Sequence, residues 1–96
     1  MNSSIYRYML GDTVPMQDVQ DSLLLAILAM ECLHGSAQTR LDLVHEFDPK
    51  KRVCIIDAAT QVGRDLNRLF TGFLQREFGH DSFQVERMPS SDAGAG

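Results

Sequence analysis

The chain has no tryptophan, two lysines, two cysteines and three prolines in 96 residues. Each shortage removes something. Two cysteines cannot build the multi-bridge scaffold of a small secreted domain. Cys32 and Cys54 are far apart in sequence, and Met1-Asn2-Ser3-Ser4 has no basic stretch leading into a long apolar one. Both therefore read as reduced, buried thiols, and the cytoplasm is the expected compartment. No apolar run reaches the ~20 residues that cross a bilayer, so a membrane is not expected as a partner. Basic residues are scarce as well. Nine Lys and Arg stand against thirteen Asp and Glu, for a formal net charge of −4. Wrapping nucleic acid needs a basic excess, and so does docking on an anionic membrane.

What remains is an ordinary globular composition, 44% hydrophobic and 23% charged, which argues against a disordered chain. Residues 1–88 read as a single α+β domain. Residues 89–96, Pro89-Ser-Ser-Asp-Ala-Gly-Ala-Gly, read as a disordered tail of small residues.

The segment from Val19 to Gly35 is the greasiest, and its Leu, Ala and Met are strong helix formers. Pro15 suits the first turn, Thr13 or Asp12 is a candidate cap, and Gly35 is a natural stop. At about 100° per residue, Val19, Leu23, Ala26, Ile27, Met30 and Leu33 share a core stripe. Leu24, Leu25, Leu28 and Cys32 cluster on the other side. A helix apolar nearly all round is buried nearly all round, yet one small domain hides a whole helix with difficulty. These four residues are therefore candidate interface residues, facing a second copy of the chain or another protein.

Around this helix the chain reads in order. Ser4 to Leu10 is rich in aromatic and β-branched residues and predicts a strand with Tyr6, Tyr8 and Leu10 inward. Thr39 to Phe47 alternates, placing Leu41, Leu43, His45 and Phe47 on one face. Asp48-Pro49-Lys50-Lys51 suits a type I turn. Arg52 to Asp57 alternates little, as a central strand does. A second helix spans about Gln61 to Phe78, capped by Thr60 or Asp57. Its stripe is Val62, Leu66, Leu69, Phe70 and Phe73, with Arg64, Arg68, Thr71 and Gln75 on the wet side. Gly63 and Gly72 inside it suggest close backbone approach. Asp81 to Met88 alternates as an edge strand. Strand, helix, strand, strand, helix, strand is the ferredoxin-like βαββαβ order: a four-stranded antiparallel sheet with two helices on one face. Ile5, Met9, Val44, Cys54, Ile56 and Met88 are then candidates for the open face of the sheet.

Motifs of this architecture are missing. The third strand, Val53-Cys54-Ile55-Ile56, lacks the aromatics of RNA-recognition domains. No Cys-x-x-Cys follows the first strand, and Gly11-Asp12-Thr13-Val14-Pro15 has neither the glycines nor the arginine of a phosphate loop. Cys32, His34, His45, Cys54 and His80 have no spacing that pairs them as metal ligands. No metal and no cofactor is expected, and no catalytic residues are assigned.

Four residues are candidate ligand-binding positions. Asp57 stands at a strand end before a helix, Thr60 follows at the cap, and Arg64 and Arg68 lie one helical turn apart, spaced to grip a phosphate or carboxylate. The leading expectation is a non-enzymatic interaction module that self-associates as a homodimer. The alternatives are a small-ligand-binding regulatory domain, using the Gly11–Pro15 turn or a site between protomers, a weak enzyme using Asp57, His45 and Arg64, and an RNA-binding module centred on Arg7, Arg52 and Arg64.

Overall fold

Tyr8 is the residue around which the fold closes. In the computed structural model, which describes residues 4–89, its ring is wholly buried between sheet and helices. The expected tail, apart from Pro89, lies outside the described residues. The elements are β1 (Ile5–Leu10), α1 (Met16–His34), α2 (Ser36–Asp42), β2 (Val44–Asp48), β3 (Val53–Asp57), α3 (Gln61–Phe78), a 3-10 turn (His80–Ser82) and β4 (Phe83–Arg87). The architecture is α+β: a four-stranded antiparallel sheet in the order β2-β3-β1-β4, with three helices among the described residues. The strands that alternate most cleanly in sequence, β2 and β4, lie at the edges.

Register decides which side of the sheet is the core. Tyr6 pairs with Ile56 and Tyr8 with Cys54, and paired residues share a face because side chains alternate along each strand. Tyr8, Leu10, Cys54 and Ile56 are therefore buried together with Val19, Leu23, Ala26 and Met30 of α1 and Val62, Leu66, Phe70 and Leu74 of α3. This corrects the placement of Cys54 and Ile56 on the open face. The tyrosines of β1 take the core side, so their partners must take it too. The Tyr8 ring meets Phe70 edge-on at 5.1 Å and stacks with Phe83 at 6.4 Å.

α3 has the expected bounds, Gln61–Phe78. Thr60 is its cap, accepting from the Gly63 N–H at 3.1 Å. Leu74, one turn beyond Phe70, completes its buried stripe; Leu69 and Phe73 are half-buried. α1 starts directly after Pro15 and has no side-chain cap, so neither Asp12 nor Thr13 plays that part. Its last turn overshoots the core. Leu33, expected inside, is 70% exposed, and His34 Nε2 instead meets Asp65 Oδ2 on α3 at 2.9 Å. The Gln61 amide and His34 together hold the Asp65 carboxyl below the usual carboxylate range.

The largest departure from expectation is α2. Thr39 to Phe47 was expected to be one strand; instead residues 36–42 are helical and only Val44–Asp48 is extended. Seven residues are too few for periodicity to separate the two conformations. Gly35, at φ 85°, turns the chain back at the end of α1, and α2 packs against both α1 and α3. Thr39 becomes its buried residue, while Leu41, expected inside, is 78% exposed. Thr60 Oγ1 donates to the Asp42 carbonyl at 3.0 Å and ties the end of α2 to the start of α3. The third helix corrects the expectation of two.

Candidate functional site

Two surface features stand out on this scaffold. The first is the outward side of α1. Leu24, Leu25 and Leu28 are 53%, 58% and 55% exposed, and with Cys32 they fall within about 100° of helix circumference. They face away from Val19, Leu23, Ala26 and Met30 because the helix packs its other side on the core. Asp18, Asp21, Ser22 and Glu77 surround Leu25 in a shallow hollow, so the apolar stripe has an acidic border at its N-terminal end. Cys32 is exposed on this stripe, which corrects its reading as a buried thiol.

Cys54 is its opposite. It is buried between Tyr8 and the helices, and burial pushes its thiol up from 9.0 to about 12. Only a thiolate reacts readily. We therefore expect Ellman's reagent at pH 8 to leave Cys54 unmodified in the folded chain and to titrate it only in denaturant. Two fast thiols would contradict the placement of Cys54.

The second feature is a hollow of about 320 Å³ lined by Ser4, Tyr6, Ala58, Arg64, Asn67, Arg68 and Arg87. It brings together two of the four candidate ligand-binding residues, Arg64 and Arg68, because α3 carries them one turn apart. Asp57 and Thr60 are committed elsewhere. Asp57 Oδ1 accepts from Ser4 Oγ and from the Ala59 N–H, each at 2.9 Å, and Thr60 is the cap already described. Arg87 joins Arg64 and Arg68, and strand pairing alone brings it there. Arg87 pairs with Tyr6 across the β1–β4 ladder and so shares the face of the tyrosine. Its Nη2 donates to Tyr6 Oη at 3.0 Å, and its guanidinium carbon lies 5.5 Å from the ring centre, within cation–π range. Arg64 is anchored by donating to the Ala59 carbonyl and to Gln61 Oε1, both at 3.1 Å. Among the described residues no acidic side chain lines the hollow. The Arg7–Glu86 ion pair and the His34–Asp65 hydrogen bond lie elsewhere.

The other constellations do not assemble. His45 pairs with Ile56 and faces the helices, while the pleat turns Asp57 to the opposite side, so Asp57, His45 and Arg64 do not converge. Arg7 lies on the open sheet face, and Arg52 and Arg64 stand at opposite ends of β3. The three make no common basic patch. The Gly11–Pro15 turn is occupied by Arg52, whose Nε donates to the Gly11 carbonyl at 3.1 Å and whose Nη2 reaches the Gly11 and Val14 carbonyls. Among the described residues no three His, Cys, Asp or Glu side chains gather as metal ligands, and no helix is long and apolar enough to cross a membrane. No family model, no curated protein and no solved structure matches the chain.

Proposed function

We propose that the protein is a small non-enzymatic interaction module that self-associates as a homodimer, with Leu24, Leu25, Leu28 and Cys32 of α1 at the contact. One observation carries the reading: three adjacent leucines on one helix, each more than half exposed. Isolated surface leucines are ordinary, but a contiguous apolar stripe with a polar border marks an association surface. A two-fold axis across α1 sets the stripe against its own copy, so a single sequence feature supplies both sides of the contact. A different protein with a complementary groove is the second occupant of this surface. We read the strand order, with β1 and β3 central, as the ferredoxin-like arrangement with one helix added before β2, and the two free thiols as those of a cytoplasmic protein.

Sedimentation velocity at micromolar concentration tests the proposal. The expected result is a dimer that Leu28→Glu converts to monomer with its circular dichroism unchanged. A clean monomer of the unaltered protein rejects the homodimer. A dimer that survives Leu28→Glu moves the contact away from α1.

A further inference from the structure

We infer that the hollow lined by Arg64, Arg68 and Arg87 binds a small phosphorylated anion. The reading does not depend on association through α1.

Charge is the first support. The chain has seven arginines and a net charge of −4, yet three of the seven line one hollow to which no described residue contributes a carboxylate. Acidic side chains are the majority elsewhere on this chain, yet no described acidic residue lines this hollow beside its three guanidiniums. Arg68 lies near enough to Asp65 to help lower that carboxyl, but the partners of Asp65 are Gln61 and His34. A bound anion supplies the missing charge.

Donor geometry is the second support. Each guanidinium has five N–H donors in a rigid fork. Arg64 commits its fork to two acceptors and Arg87 to Tyr6, which orients both side chains and leaves donors over. Arg68 has no hydrogen bond or ion pair among the described residues. Asn67 adds a neutral donor. Its Oδ1 accepts from the Tyr8 hydroxyl, and its amide N–H groups have no partner among the described residues while the residue lines the hollow. Guanidinium forks match the tetrahedral oxygens of phosphate in pairs, and three of them, two already oriented, suit a dianion or trianion better than a single carboxylate. The size is the third support. A hollow of about 320 Å³ falls at the small end of ligand pockets, a size that accommodates a small phosphorylated molecule.

Isothermal titration with pyrophosphate is the direct test, with inorganic phosphate and AMP in parallel to separate free phosphates from phosphate esters. The expected result is saturable one-to-one binding by pyrophosphate or AMP that weakens as salt is raised. Arg68→Gln and Arg87→Gln should each weaken it by about tenfold or more, the usual loss for a charge-assisted hydrogen bond. Arg76→Gln, an exposed position of α3 outside the hollow, removes the same charge and should leave binding unchanged. Leu28→Glu should also leave it unchanged, which keeps this inference separate from self-association. Absence of saturable binding by all three probes overturns it. So does equal weakening by Arg76→Gln, since that would report only the overall charge of the protein.

Discussion

Gly63→Ala is expected to destabilise the protein by about 3 kcal/mol or more, at the upper end of the range for overpacked positions. A Cβ at Gly63 would sit 2.1 Å from the Asp57 carbonyl oxygen and 3.1 Å from Ala58 Cα. Both neighbours are backbone, and neither can rotate away as a side chain could. The first turn of α3 would have to lift off the end of β3, disturbing the Thr60 cap and the Arg64 contact with Ala59. For a domain of this size the expected loss corresponds to a fall in Tm of about 15 °C. Gly72 provides the control within the same helix. A Cβ there meets nothing within 4 Å, so Gly72→Ala should stabilise by about 0.5–1 kcal/mol through helix propensity alone. Urea denaturation of the two variants checks both signs. A Gly63→Ala variant within 1 kcal/mol of the parent would contradict the packing described here.

The second large effect concerns Tyr8. Tyr8→Ala should cost about 3–5 kcal/mol, as loss of a buried aromatic ring does, because the ring bridges Phe70, Phe83 and Cys54. Tyr8→Phe isolates the polar share. The hydroxyl donates to Asn67 and lies 2.8 Å from Thr71 Oγ1, so its removal leaves those groups short of a partner at a cost of about 1–3 kcal/mol. The same burial makes the fold sensitive to alkali. Burial first, and the neighbouring Cys54 to a lesser degree, pushes the Tyr8 hydroxyl up from 10.0 to about 12 against the opposing hydrogen bond with Thr71. The folded state thus keeps the proton longer than the unfolded chain. Stability from this group is fully present below pH 10 and is lost between pH 10 and 12. Cys54 acts in the same direction from pH 9 to 12. Denaturation midpoints measured at pH 8, 9.5 and 11 should fall steeply in the parent and less steeply in Tyr8→Phe. Equal slopes would show that Tyr8 titrates normally.

The effect at Tyr8 depends on neighbours distant in sequence, and that at Gly63 on the path the chain takes from β3 into α3; neither set of neighbours is carried by a local pattern. The helix pattern marks Gly63 as a point of close backbone approach, and the approaching group is the backbone that ends β3. Tyr8 was recognisable as inward-facing. Its hydrogen bonds to α3 were not, since Asn67 lies 59 positions along the chain. The candidate ligand site divides in the same way. Arg64 and Arg68 were legible as a pair because helical spacing is local. Arg87 was not, because only the β1–β4 register brings it to Tyr6.

Patterns that repeat over many residues of one element were set by the chain itself. The 18 residues of α3 carry a stripe, a cap and a terminal glycine that agree with one another, and their bounds emerged as expected. The excess of leucine on α1 is likewise a property of composition and helical period, whatever the helix packs against. Tertiary structure alone decided three things: that residues 36–42 coil into α2, that Cys54 and Ile56 face the core, and that three arginines meet in one hollow. The reason is energetic. A short segment has nearly equal local preference for helix and strand, so packing against α1 and α3 tips the balance. The face of a strand and the company of a surface arginine are set by pairing with residues distant in sequence, which no local pattern encodes.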